Sequence, residues 1–169
     1  ALMREAGLHT PEVVAQDVER GFLLLGDLGT KTYLNVLDDS NADALFGDAI
    51  DALIRLQVAS RPGVLPPYDA ALLGREIDLF PEWYVARHRD YRLDTEQKRA
   101  LADAAGLLVT SAVAQPQVYV HRDFMPRNLM VCEPNPGVLD FQDAVHGPVS
   151  YDVVSLFRDA FLSWDDERI

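Results

Sequence analysis

The sequence predicts an α+β fold with segregated layers, arranged as two lobes that join near residues 25–36. Three observations support this: β-prone runs open the chain, apolar residues at helical spacing fill its middle, and short β-prone segments return after residue 117. A last helical pattern follows them.

With 169 residues, 49% of them hydrophobic and 25% charged, the chain has the length and apolar content for an ordinary globular core. Its 15 basic and 27 acidic residues give a net charge of −12, which repels nucleic acid and anionic membrane surfaces. The lone Cys132 excludes an internal disulfide and a Cys-rich metal site; in its apolar stretch it reads as a buried thiol suited to a reducing cytoplasm. The longest apolar runs, Gly21 to Leu25 and Gly106 to Ala114, are too short to span a bilayer. Residues 1–7 read as the last turns of a helix ending at Gly7, and Asp152 to Ile169 as a helical pattern without a stop signal. Both ends are therefore expected to be cut from a longer protein.

Pro11 to Gln16 and Gly21 to Leu25 are expected to form a hairpin across Asp17 to Arg20. The segment Gly26-Asp-Leu-Gly29 breaks the strand, and Phe46, Ile50, Leu53 and Leu56 mark the inward face of a helix running to about Gln57. Prolines 62, 66 and 67 make residues 60–68 a loop. From Asp69 to Tyr91, Leu73, Ile77, Phe80, Tyr84 and His88 keep helical intervals, with Pro81 either kinking one helix or starting another. Asp94, with Gln97 three residues on, is expected to cap a helix facing inward through Leu101, Ala105, Leu108 and Ala112. Val118–Val120, Asn128–Val131 and Gly137–Leu139 read as short strands of one small sheet.

The polar run from His121 to Asn128 then lies on a loop between two strands, and Asp140 stands at the end of a third. Phosphoryl transfer needs this set of groups: a carboxylate to receive the hydroxyl proton, and an amide oxygen and a second carboxylate to hold magnesium against nucleotide phosphates. Asp123 fits the first role, Asn128 and Asp140 the second. Most of the catalysis comes from positioning, so an Asp near its ordinary pKa suffices. The plain alternative makes His121 a hydrogen-bonded strand-end histidine, Asp123 and Asn128 turn residues, and Asp140 a loop cap. A metal-dependent hydrolase is disfavoured, because no His-x3-His spacing occurs.

His121-Arg-Asp-Phe-Met-Pro-Arg-Asn-Leu-Met130 followed by Val138-Leu-Asp-Phe-Gln142 resembles the catalytic and metal-binding loops of the aminoglycoside-phosphotransferase-like family, which has the protein-kinase-like fold. The resemblance implies ATP and Mg2+ as cofactors, Asp123 as catalytic base, and Asn128 and Asp140 as metal ligands. It also implies His121 and Asp152 as structural supports, with Gly147 and Tyr151-Asp152 continuing the pattern. It divides the chain into residues 1–28, an incomplete N-lobe of hairpin and hinge, and residues 29–169, a mainly helical C-lobe. Leu24, Leu25, Gly26 and Asp27 would be the hinge that receives adenine through its backbone, between leucines; the plain alternative for that run is a buried strand.

Gly26-Asp-Leu-Gly29 with Thr32-Tyr-Leu34, and Leu79 to Tyr84 with Arg87-His88, are similar to the bacterial cell-wall amino-sugar kinases of that family. Those enzymes phosphorylate the anomeric hydroxyl of N-acetylmuramate and N-acetylglucosamine in peptidoglycan recycling. The resemblance makes Glu82, Trp83, Arg87 and His88 the sugar-binding residues; the alternative is an amphipathic helix that buries its aromatics. The family's glycine-rich loop and phosphate-gripping lysine have no match here, since Lys31 and Lys98 fall after the hinge and on a middle helix. The chain by itself is therefore expected to be inactive. Two other readings of the same loops are a kinase of aminoglycosides or other small molecules and a non-catalytic pseudokinase.

Overall fold

The computed structural model describes residues 2–165 and 167. Helix α1 (Leu2–Glu5) ends as expected, with Gly7 at φ 82°, a left-handed conformation that closes a helix at little cost only for glycine. Strands β1 (Val13–Asp17) and β2 (Phe22–Leu25) form the expected antiparallel hairpin, with one bulged residue between Val13 and Ala15. Its turn is held by the Asp17 carboxylate, which accepts the Arg20 amide at 3.1 Å, and by Gly21 at φ 75°. Neither face is covered: Phe22 is 68% and Leu24 59% exposed, so β2 is not a buried strand.

Helix α2 (Tyr33–Val36), which the sequence reading missed, is a single turn set by the capping box of Thr32 and Asn35. Helix α3 (Ala42–Val58) supplies the core with Phe46, Leu53 and Leu56. Ile50 does not join them: Ala49 and Ala52 complete the inward stripe, and Ile50 lies at its solvent edge. The loop after α3 is pinned where Ser60 Oγ accepts the Tyr119 amide at 2.6 Å.

Asp69 accepts the Leu72 amide at 2.8 Å and starts helix α4 (Ala70–Leu79). Pro81 neither kinks the helix nor begins a separate α-helix. The chain continues as a π-helical segment over Phe80–His88, consistent with a proline that has no amide for the α-helical ladder. Helix α5 (Thr95–Val113) carries the expected Asp94–Gln97 capping box, with bonds of 2.9 and 3.1 Å. Its inward stripe runs through Val109 rather than Leu108, which is 63% exposed, because the four-residue step from Leu101 and Ala105 falls on 109.

The later strands form two separate ladders rather than one small sheet. Strand β3 (Gln117–Val120) pairs antiparallel with β6 (Val145–Pro148), and β4 (Leu129–Met130) with β5 (Gly137–Val138). The core gathers where they meet α3, through Tyr119, Phe124, Leu129 and Val138. Helix α6 (Tyr151–Phe157) stops well short of the expected run to residue 169. Asp159 accepts the amides of Phe161 and Leu162 at 2.7 and 2.6 Å, a local turn that competes with helix. The rest of that expected helix includes residues 166, 168 and 169, which lie outside the described residues. No described helix is long and apolar enough to cross a membrane.

Candidate active site

Strand β3 delivers His121, Arg122 and Asp123 into a loop whose backbone is held from below. Asp152, in the first turn of α6 and fully buried, accepts the His121 amide at 2.7 Å and the Arg122 amide at 3.0 Å. Those two bonds help hold Arg122 at φ 76°, a left-handed conformation that disfavours a non-glycine residue. The Asp123 carbonyl then accepts the Met125 amide at 3.0 Å and the Asn128 side-chain amide at 2.9 Å. A 3-10 turn over Pro126–Asn128 completes the loop. The Asn128 carbonyl accepts the Leu139 amide at 3.0 Å, which aligns the segment leading to Asp140. Asp140 is itself left-handed at φ 64° and accepts the Gln142 side chain at 2.9 Å.

Charge at this site is negative and only partly compensated. Partial burial pushes the Asp123 carboxyl above its ordinary pKa, and the Asp140 and Asp143 charges push it further; Arg122 and Arg127 work against this. Burial lowers His121 to about 4, so its ring is neutral near pH 7 and packs edge-on against Phe124 at 5.7 Å. Burial pushes Asp152 up to about 7, against the lowering effect of its two amide bonds.

The donor set suits a hard divalent cation. Because the Asn128 amide nitrogen bonds to the Asp123 carbonyl, its side-chain oxygen is the atom left to accept a ligand, and Asp140 is exposed and near enough to Asp123 for its charge to act on that carboxyl. Among the described residues no group of three or more His, Cys, Asp and Glu could hold a metal. Two oxygen ligands completed by water and phosphate fit Mg2+, which keeps several waters, far better than a metal that needs an all-protein cage.

The remaining expected site residues lie elsewhere. Leu24 and Leu25 are the last residues of strand β2 and Asp27 lies just beyond it, while the Gly26 amide is already donated to the Glu12 carbonyl at 2.8 Å and is not open to a ligand. Glu82, Trp83, Arg87 and His88 all fall on the exposed π-helical segment. Arg87 binds Glu82 at 3.1 Å and stacks 3.8 Å over the Trp83 ring, while His88 stacks on Tyr84 at 5.5 Å. The aromatics are not buried, so the amphipathic-helix alternative fails in that respect. Glu82 faces a cleft of about 610 Å³ between this segment and α5, whose lining includes none of Asp123, Asn128 and Asp140. The sequence reading missed Asp143 and Arg127, which bear on Asp123, and Glu76, which pairs with Arg122. The position of Asp143, three residues after Asp140, was the one available signal.

A model of the phosphotransferase enzyme family matches residues 1–169, and the chain belongs to that family. It is 58% identical over 168 residues to the N-acetylmuramate/N-acetylglucosamine kinase of Pseudomonas aeruginosa, covering 99% of this chain and 50% of that protein. It is 47% identical over 166 residues to the enzyme of the same name from Neisseria meningitidis, covering 96% and 50%. The chain therefore spans about half the length of these curated relatives. Among solved structures, the gentamicin complex of APH(2")-IIa superposes with a TM-score of 0.65 at 17% identity, covering 98% of this chain and 60% of that one. ADP-bound aminoglycoside phosphotransferase APH(2")-Ib gives 0.64 at 18%, covering 95% and 57%. These two likenesses establish the fold, a kinase-like α+β architecture.

Proposed function

We propose that the complete protein carrying this chain transfers the γ-phosphoryl group of ATP to the anomeric hydroxyl of N-acetylmuramate and N-acetylglucosamine, as a cytoplasmic step in cell-wall recycling. The observation that carries the chemistry is the loop in which Asn128 is bonded to the Asp123 carbonyl while the Asp140 charge acts on the Asp123 carboxyl. The relatives at 58% and 47% identity support the acceptor.

In this reading Asp123 accepts the proton of the attacking hydroxyl. Its raised pKa brings it closer to the working range of a general base, although positioning accounts for most of its effect. Asn128 and Asp140 would hold Mg2+, which when bound neutralises the charge that develops on the phosphates. Asp152 and the neutral His121 keep the loop in place. Residues 24–27 would meet the nucleotide at the end of a smaller lobe comprising residues 1–28, with residues 29–169 forming the larger lobe. Glu82, Trp83, Arg87 and His88 would approach the sugar, with Trp83 offering an apolar face once Arg87 moves to the ligand.

The test is an acceptor panel with ATP and Mg2+ on the complete protein. Turnover of the two amino sugars, and none of aminoglycosides, is the expected result. Turnover of aminoglycosides alone would overturn the acceptor, and nucleotide binding without transfer to any acceptor would make the protein a pseudokinase.

A further inference from the structure

Helix α4 meets the catalytic loop through one carboxylate. Glu76, one turn before the π-helical segment, pairs with the Arg122 guanidinium and also accepts the Tyr68 hydroxyl. The Tyr68 ring lies 5.7 Å below the Arg122 guanidinium and 5.1 Å from the ring of Tyr151, the first residue of α6. Gly147 makes room for this arrangement, since a Cβ there would come within 2.7 Å of the Tyr68 Cβ. Three elements that are separate in sequence, α4, the catalytic loop and α6, therefore converge on one ion pair.

Both charged side chains are only 26% exposed, which sets the pair apart from the exposed salt bridges elsewhere on the chain. Removing one member leaves the other charge poorly solvated, a larger loss than at the surface. Burial alone would lower Arg122, but Glu76 holds it above its ordinary value. Arg122 directly precedes Asp123 and sits in the left-handed region, so its backbone needs anchors. Asp152 holds its amide and Glu76 holds its side chain.

We propose that Glu76 is a positioning residue for phosphoryl transfer: by fixing Arg122 it fixes the peptide that carries Asp123 and links the helix leading to the acceptor-side segment with the catalytic loop. The inference rests on the reading of Asp123 as proton acceptor.

Two measurements on the complete protein test it, with Glu76→Ala, Glu76→Gln and the double variant Glu76→Ala/Arg122→Ala. In Glu76→Ala, amide exchange at His121 and Arg122 should quicken at least about tenfold while exchange in α3 stays unchanged. The kcat should fall about tenfold to hundredfold with KM for the acceptor within about threefold. Glu76→Gln, which keeps an acceptor for Tyr68 and Arg122, should recover part of both losses, and adding Arg122→Ala to Glu76→Ala should cost nothing more. If Glu76→Ala does not fold, Glu76→Gln carries the test with smaller changes of the same kind. Unchanged loop exchange and kcat would overturn the proposal, as would an equal rise of exchange in α3, which would mark Glu76 as a general stabiliser. The exchange experiment needs no acceptor, so a wild-type protein that phosphorylates no sugar defeats the proposed function, while quickened or unchanged exchange at His121 and Arg122 still supports or overturns the anchoring of the loop by Glu76.

Discussion

Residues 119–129 and residues 80–88 carry the two halves of the proposed reaction, and the first are buried where the second are exposed. In the catalytic stretch Tyr119, Val120, His121, Phe124 and Leu129 are fully enclosed, and backbone amides are tied to a buried carboxylate from α6. The π-helical segment has no buried residue, and its Glu82, Trp83 and Arg87 are satisfied by one another. A group that must meet a reacting hydroxyl at fixed distance needs rigid support, whereas groups that recognise an acceptor gain from being free to exchange partners.

The largest effect that would sharpen this contrast is at Asp140, a proposed Mg2+ ligand. Asp140→Ala should lower kcat at least about a hundredfold and raise the Mg2+ concentration needed for half-maximal rate, since a bound cation supplies several kcal/mol of charge stabilisation. Asp140 is exposed, so thermal unfolding should move little. Asp152→Ala is its structural counterpart. It strands the buried His121 amide and the half-buried Arg122 amide and should cost about 2–5 kcal/mol of stability in denaturant titrations, with the loop disordered.

The buried pair below the loop also gives a pH test with opposite signs. His121 is lowered to about 4 from 6.5, so between those values the unfolded chain binds a proton the folded chain refuses, and stability rises with pH. Asp152 is raised to about 7 from 3.8, so in that window the folded chain keeps a proton the unfolded chain has released, and stability falls with pH. Relative to the wild type, His121→Asn should make Tm fall more steeply from about pH 4 to 6.5, and Asp152→Asn should make it rise more steeply over the same window. The smallest effect belongs to the exposed arm. Arg87→Ala should raise KM for the acceptor several-fold, with kcat little changed and stability within about 0.5 kcal/mol. A loss of kcat equal to that at Asp140 would break the division between the two regions.

The same contrast explains what could be read from the sequence. The loop over residues 121–128 was legible because β-prone runs flank it on both sides. The capping box at Asp94 and the helix stop at Gly7 were legible because their causes are local. Strand β6 was not, since Val145-His-Gly-Pro148 reads as a turn and becomes a strand only by pairing with β3. Glu76 gave no signal, because its partner lies 46 residues away and only folding brings them together. The helical spacing of Phe80, Tyr84 and His88 was real, yet it produced a stacked column on the surface rather than a core face.

The most direct test of the account compares wild type with Asp123→Asn in the complete protein, measuring phosphoryl transfer to N-acetylmuramate alongside Mg2+–ATP affinity. The account predicts that transfer falls by about a hundredfold or more while nucleotide affinity stays within about threefold. Transfer retained near the wild-type rate would contradict it.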